Sequence, residues 1–176
     1  MIIRSDLFST PVWHITDAPS SLVDELYDAA YQIKKSSLEQ DDKSNQGGFQ
    51  SIQYAWEDFH PQGKEYITSV VDNIFKSYEM KGWWYNINPK GSWNTAHAHP
   101  GSDFALILYL TDSDGLLHLL NPNIHRVCIG GVNHSWANHN TKKGEMIIFP
   151  GDIIHYVKPN QKDTDRICIS MNIRIK

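Results

Sequence analysis

Arg166-Ile167-Cys168-Ile169-Ser170-Met171-Asn172-Ile173 reads as a strand with two chemistries. Successive side chains of a strand point to opposite faces, so Ile167, Ile169, Met171 and Ile173 share one face. Arg166, Cys168, Ser170 and Asn172 share the other. The apolar set can pack outward, against helices. The polar set then points into whatever the strand encloses, where an arginine needs an acid to meet it. A barrel with a polar interior holds a ligand cavity in place of a filled core.

The stretch upstream supplies the rest of such a barrel. From Trp83 onward the chain runs in short β segments punctuated by Gly, Pro, Asn and Asp. The candidate strands are 83–87, 92–98, 104–111, 116–120, 126–129, 146–150, 154–157 and 166–175. Eight strands separated by turn signals predict a mainly β, jelly-roll or cupin-like barrel. Before them lie a β-leaning segment, Pro11-Val12-Trp13-His14-Ile15, and two helical patterns. Asp17, Pro19 and Ser20 offer helix-start chemistry, and Leu22, Leu26, Ala29, Ala30 and Ile33 form one apolar stripe. A polar run from Lys34 to Gln46, closed by Gly47-Gly48, reads as a mobile loop. The second pattern fits a helix over 61–80, with Ile67, Val70, Val71, Ile74, Phe75 and Tyr78 buried and Gly82 as its stop. The expected organisation is one domain over 1–176, with about 1–82 as N-terminal strand and helical support and about 83–176 as the β-barrel core.

Composition narrows the function classes. A net charge of −4 and a pI near 6.1 disfavour a nucleic-acid surface, which needs a basic stripe. No window approaches the roughly 18 uninterrupted apolar residues of a membrane-spanning helix. The opening Met1-Ile2-Ile3-Arg4-Ser5-Asp6 lacks the pattern of a secretory signal, and Cys128 and Cys168 make no disulfide framework. A reducing cytoplasm is the expected compartment.

Seven of the nine histidines fall between residues 97 and 155. His97 and His99, two apart, share a strand face and can grip one ion. The run 143–152 reads as turn, buried strand and Pro150-Gly151 turn, after which His155 opens a strand facing that pair. Three protein ligands on one side leave positions open, the facial arrangement of non-haem iron oxygenases. A closed four-ligand zinc site is disfavoured by the lack of paired cysteines. His118, His125, His134 and His139 lie in or beside the Asn-rich stretch 121–140, read as a solvated hairpin, or alternatively as a lid over the barrel mouth. Trp83, Trp84 and Trp93 read as core residues.

Trp93-Asn94-Thr95-Ala96-His97-Ala98-His99-Pro100, Leu108-Tyr109-Leu110, Phe149-Pro150 leading to His155, and Arg166…Ser170…Asn172 resemble a known family. So do Leu7-Phe8-Ser9-Thr10-Pro11 and Gly47-Gly48-Phe49-Gln50-Ser51, and the resemblance covers nearly the whole chain. The family is that of the 2-oxoglutarate/Fe(II)-dependent oxygenases of marine bacteria and cyanophages, in the prolyl-hydroxylase-like superfamily. The resemblance implies a double-stranded β-helix, Fe(II), 2-oxoglutarate and O₂, with release of succinate and CO₂ and hydroxylation of a C–H bond. It implies His97 and His155 as metal ligands. Arg166, Ser170 and Tyr109 would hold the far carboxylate of the co-substrate, a task that suits a bidentate guanidinium. The superfamily uses His-x-Asp, and His99 stands here at the aspartate position, with Asp103 as the alternative third ligand and a turn cap as its other reading. The substrate stays open between a small molecule, a free amino acid and a peptidyl side chain, and the resemblance also raises a homodimer.

Two rival readings use the same residues. One is a cupin-type metal dioxygenase or isomerase, which His97-x-His99 with Asp103, then Gly144…Pro150-Gly151…His155, partly matches. The other is a non-catalytic metal- or sugar-binding jelly roll. Neither needs an inward Arg166 paired with Ser170, so those two residues discriminate.

Overall fold

The computed structural model describes residues 9–37, 39–41, 43–123, 128–129, 132–133 and 135–176. Helix α1 (Ser20–Ser36) and helix α2 (Pro61–Asp72) precede most of the strands. A six-stranded sheet has the order β1-β11-β6-β13-β4-β3: β1 (Trp13–Ile15), β11 (Met146–Pro150), β6 (Phe104–Tyr109), β13 (Arg166–Ile175), β4 (Tyr78–Asn88) and β3 (Phe49–Gln50). A five-stranded sheet has the order β10-β7-β12-β5-β2: β10 (Trp136–Thr141), β7 (Ser113–Leu120), β12 (His155–Val157), β5 (Trp93–His97) and β2 (Asn45–Gln46). The pairings are antiparallel, and a small hairpin, β8 (Cys128–Ile129) with β9 (Val132–Asn133), lies between β7 and β10 in the chain.

The closing strand explains how the layers assemble. In β13, Ile167, Ile169, Met171 and Ile173 are fully buried, in one apolar cluster with Leu22, Leu26, Ile67 and Val71 of the two helices. Each such aliphatic side chain contributes roughly 1.5–3 kcal/mol on burial, so this face anchors the helices to the larger sheet. A second apolar cluster, Ala105, Ile107, Tyr109, Leu117, Leu119, Ile147, Phe149 and Ile153, joins β6 and β11 to β7 across the two sheets. The polar inner residues of β13, β4 and β5 therefore line the remaining part of the interior.

Four expectations change. The second helix ends at Asp72, and Tyr78 and Met80 belong to β4, where Tyr78 pairs with Ile175 and Met80 with Ile173. Pairing with β13 outweighs the helical periodicity there, although Ile74 and Phe75 still pack on the core. Gly82 is a kink inside β4 in place of a helix stop. It has φ +143, and an added Cβ would lie 2.8 Å from the Tyr54 carbonyl oxygen, beside the shift in β4–β13 register. The expected loop over 34–46 ends in β2, and Gly47-Gly48 turns it into β3, so these short strands extend one sheet each. The Asn-rich stretch is likewise not all excursion, because β10 is a sheet edge paired to β7.

Candidate active site

Each histidine of the expected metal set is delivered by a different backbone device. His97 ends β5 and His155 opens β12, and the two are register partners across that antiparallel pair. His99 lies just past β5, where its N–H donates to the Gly151 carbonyl at 2.7 Å. Gly151 permits this approach, because an added Cβ there would sit 2.5 Å from the Ser102 carbonyl oxygen. The three imidazoles each offer a nitrogen, all within 4.8 Å of one another, and His99 Nε2 lies 3.3 Å from His155 Nε2.

Hydrogen bonds decide two of the tautomers. His97 Nδ1 meets the Thr95 carbonyl at 2.7 Å and His155 Nδ1 meets the Ile153 carbonyl at 2.9 Å. A carbonyl only accepts, so Nδ1 carries the proton in both rings and Nε2 keeps its lone pair. Burial holds all three rings neutral: His155 is pushed down to about 3 and His99 to about 4, with neighbouring histidines adding to the effect, and His97 is also lowered. Phe149 packs edge-on to His155, and Trp84 lies nearly parallel to His99 with centroids 5.6 Å apart. Asp103 is elsewhere: its Oδ2 accepts from the Ile175 N–H at 2.8 Å, pinning the end of β13. The described residues hold one cluster with metal-ligand geometry, His97, His99 and His155.

The same recess is lined from the opposite sheet by Arg166, Ser170 and Tyr109. Arg166 is 3% exposed and donates through Nη1 to the Lys158 carbonyl at 2.9 Å. Ser170 Oγ accepts from Asn86 Nδ2 at 3.2 Å, which leaves its own proton free to turn toward a ligand. Among the described residues the buried Tyr109 hydroxyl has no hydrogen-bond partner, and burial raises it well above its ordinary range. An orphan donor beside a guanidinium and a hydroxyl fits a carboxylate, which would satisfy all three. Three neutral imidazole nitrogens converging on one point fit a divalent transition metal.

Outside the recess opens a cavity of about 290 Å³ lined by Asp41, Lys43, Gln50, Gln53, Trp84 and Pro100, among others. Trp84, Asn86 and Gln50 are therefore site residues that the sequence reading missed. Trp84 and Asn86 alternate on β4, and Trp84 is register partner of Ser170, so continuing the two-residue alternation through that strand is the signal that finds them. Trp83 is core as expected, whereas Trp93 is 40% exposed. His118 is not solvated: it is buried on β7 and stacks on Tyr156 with centroids 4.5 Å apart. His139 stands on β10 against His14. His125 and His134 lie outside the described residues, and the lid reading of 121–140 rests partly on them.

With this geometry in view, the model of the family described as "Putative 2OG-Fe(II) oxygenase" matches residues 82–172, more than half of the 176-residue chain. The chain belongs to the 2OG-Fe(II) oxygenase family. Fe(II) and 2-oxoglutarate are thus its cofactor and co-substrate, and the cupin and binding-module readings give way to a dioxygenase. Solved structures share the fold of this oxygenase. A Pseudomonas putida prolyl-4-hydroxylase is 14% identical with TM-score 0.70, covering 96% of this chain and 94% of its own. HygX from Streptomyces hygroscopicus, with nickel and 2-oxoglutarate bound, is 10% identical with TM-score 0.65, covering 95% and 84%. A prolyl hydroxylase from Trichoplax adhaerens, in complex with a peptide fragment of a hypoxia inducible factor degradation domain, is 14% identical with TM-score 0.68, covering 93% and 83%. No curated protein matches the chain. No described helix is long and apolar enough to cross a membrane.

Proposed function

We propose that this oxygenase binds Fe(II) through Nε2 of His97, His99 and His155 and hydroxylates a C–H bond of a small-molecule or peptidyl substrate. The observation that carries the reading is the recess shared by two opposed sheets, with three neutral imidazoles on one side and Arg166, Ser170 and Tyr109 on the other. Bound there, Fe(II) with O₂ couples oxidative decarboxylation of 2-oxoglutarate, to succinate and CO₂, to oxidation of the second substrate.

The chain's own residues do the positioning. Arg166 grips the far carboxylate of 2-oxoglutarate, and Ser170 and Tyr109 each donate a hydroxyl hydrogen bond to it. The apolar walls of Ile107 and Val157 keep the recess dry, which strengthens those bonds. The second substrate enters through the outer cavity, where Trp84 offers an apolar face and Gln50 and Gln53 offer amides. The test is spectroscopic: anaerobic protein loaded with Fe(II) should develop a visible metal-to-ligand charge-transfer band on addition of 2-oxoglutarate. A metal-loaded sample that stays colourless overturns the co-substrate assignment.

A further inference from the structure

The three histidines are not held alike. His97 and His155 each donate Nδ1–H to the carbonyl two residues earlier in the chain, Thr95 and Ile153. Those anchors come with the local backbone, whatever the neighbouring side chains are. Among the described residues His99 has no such carbonyl partner. Its Nε2 faces His155, so its remaining nitrogen, Nδ1, is the one that needs an external partner to fix the tautomer.

The inner face of β13 provides a candidate. Asn172 continues the inward row of Arg166 and Ser170, lines the cavity wall together with His99, and its Oδ1 is buried without a hydrogen-bond partner in the described structure. The Asn172 side chain lies within reach of the His99 ring. We propose that Asn172 is the positioning residue of the third histidine: its Oδ1 accepts the His99 Nδ1–H and so reserves Nε2 for the metal. Trp84, stacked on the same ring, holds its plane. One strand then serves both ends of the recess, with Arg166 and Ser170 for the co-substrate and Asn172 for the metal. Oδ1 is a neutral acceptor, so the centre formed by three histidines carries no carboxylate charge even in its surrounding shell at this ring.

The inference rests on His99 being a ligand, and the test separates the two claims. Anaerobic Fe(II) affinity is measured by competition with a chelator for the native protein and for His99→Ala, Asn172→Ala and Asn172→Asp. Asn172→Ala should weaken Fe(II) by roughly 10- to 100-fold, the usual cost of losing an outer partner of a ligating histidine. Asn172→Asp, which keeps the acceptor, should restore native affinity or exceed it. In Zn(II)-loaded native protein, nitrogen-15 NMR of the imidazoles should show His99 protonated at Nδ1, and Asn172→Ala should broaden or shift that signal alone. If His99→Ala weakens Fe(II) but Asn172→Ala leaves both affinity and the NMR signal unchanged, the positioning role is overturned. If His99→Ala itself leaves Fe(II) affinity unchanged, it is the ligand assignment that fails. Should Asn172→Ala fail to fold, Asn172→Asp decides alone, through retained affinity with a lowered Fe(III)/Fe(II) potential; an unchanged potential overturns the proposal.

Discussion

The two ends of the recess are both buried and polar, yet they are finished in opposite ways. At the histidine end the backbone supplies most of what the side chains need: Thr95 and Ile153 fix two tautomers, and the rings rest against each other and Phe149. At the arginine end the Tyr109 hydroxyl has no partner among the described residues. An end in which two of the three rings are already anchored can wait for a metal at little conformational cost. An end with an orphan donor gains its last hydrogen bonds only when an acid arrives. The difference predicts that metal binding is preorganised and that co-substrate binding also stabilises the fold.

The largest effect should come from breaking the preorganised end. His155→Ala should reduce Fe(II) affinity by more than the roughly 100-fold expected for an outer partner, measured by chelator competition, and abolish turnover. An affinity within a few-fold of native would mean the ring is merely packed. Next is the acid response of the metal-free protein. An unfolded histidine titrates near its ordinary value of about 6.5, while His155 and His99 in the fold titrate near 3 and 4. Between those values the unfolded chain binds more protons, so stability is fully present above about pH 6.5 and is lost as pH falls toward 3. Urea midpoints across that range should fall steadily, and less steeply in His155→Phe.

Breaking the other end should touch a different ligand. Arg166→Ala removes one partner of a buried charge pair, an effect of about 2–5 kcal/mol, or roughly 30-fold and upward in 2-oxoglutarate affinity. Fe(II) affinity should stay near native, and equal losses of both would make Arg166 structural. Tyr109→Phe is the smallest change, worth about 1 kcal/mol or roughly 5-fold in 2-oxoglutarate binding. In the co-substrate-free protein it should leave the melting temperature unchanged or raise it, because it deletes a buried hydroxyl without a partner. A marked drop there would show that the hydroxyl is already satisfied.

Much of this was legible in residue order. The alternation of 166–173 identified a strand, its helix-facing side and its cavity side, and β11 and β13 have the bounds expected from sequence. The first helix has its stripe where the spacing puts it, with Val23 added to the buried set. The failures have physical causes. The segment 74–80 carries helix-like spacing, but ten-residue β13 offers hydrogen bonds to Tyr78–Met80 that a helix end cannot match. Strand β10 contains Asn138, a poor strand former that sits in a sheet because His118 of β7 pairs with it. Trp84 shares its residue type with Trp83 but not its face, because adjacent strand residues point opposite ways. His155 facing His97 was visible as turn followed by strand, whereas the displacement of Asp103 to the end of β13 depends on a contact 72 residues away in sequence.

Because the two faces of β13 differ in kind, its tolerance of change should alternate residue by residue. In a saturation library, substitutions at 167, 169, 171 and 173 would deplete the amount of folded protein, while those at 166, 170 and 172 would spare abundance and remove ligand binding. A single residue inserted between Arg166 and Ile167 would do both at once, turning the isoleucines toward the iron and Ser170 and Asn172 toward the helices. The length of the Val157–Arg166 connection can drift; the parity of the strand that follows cannot.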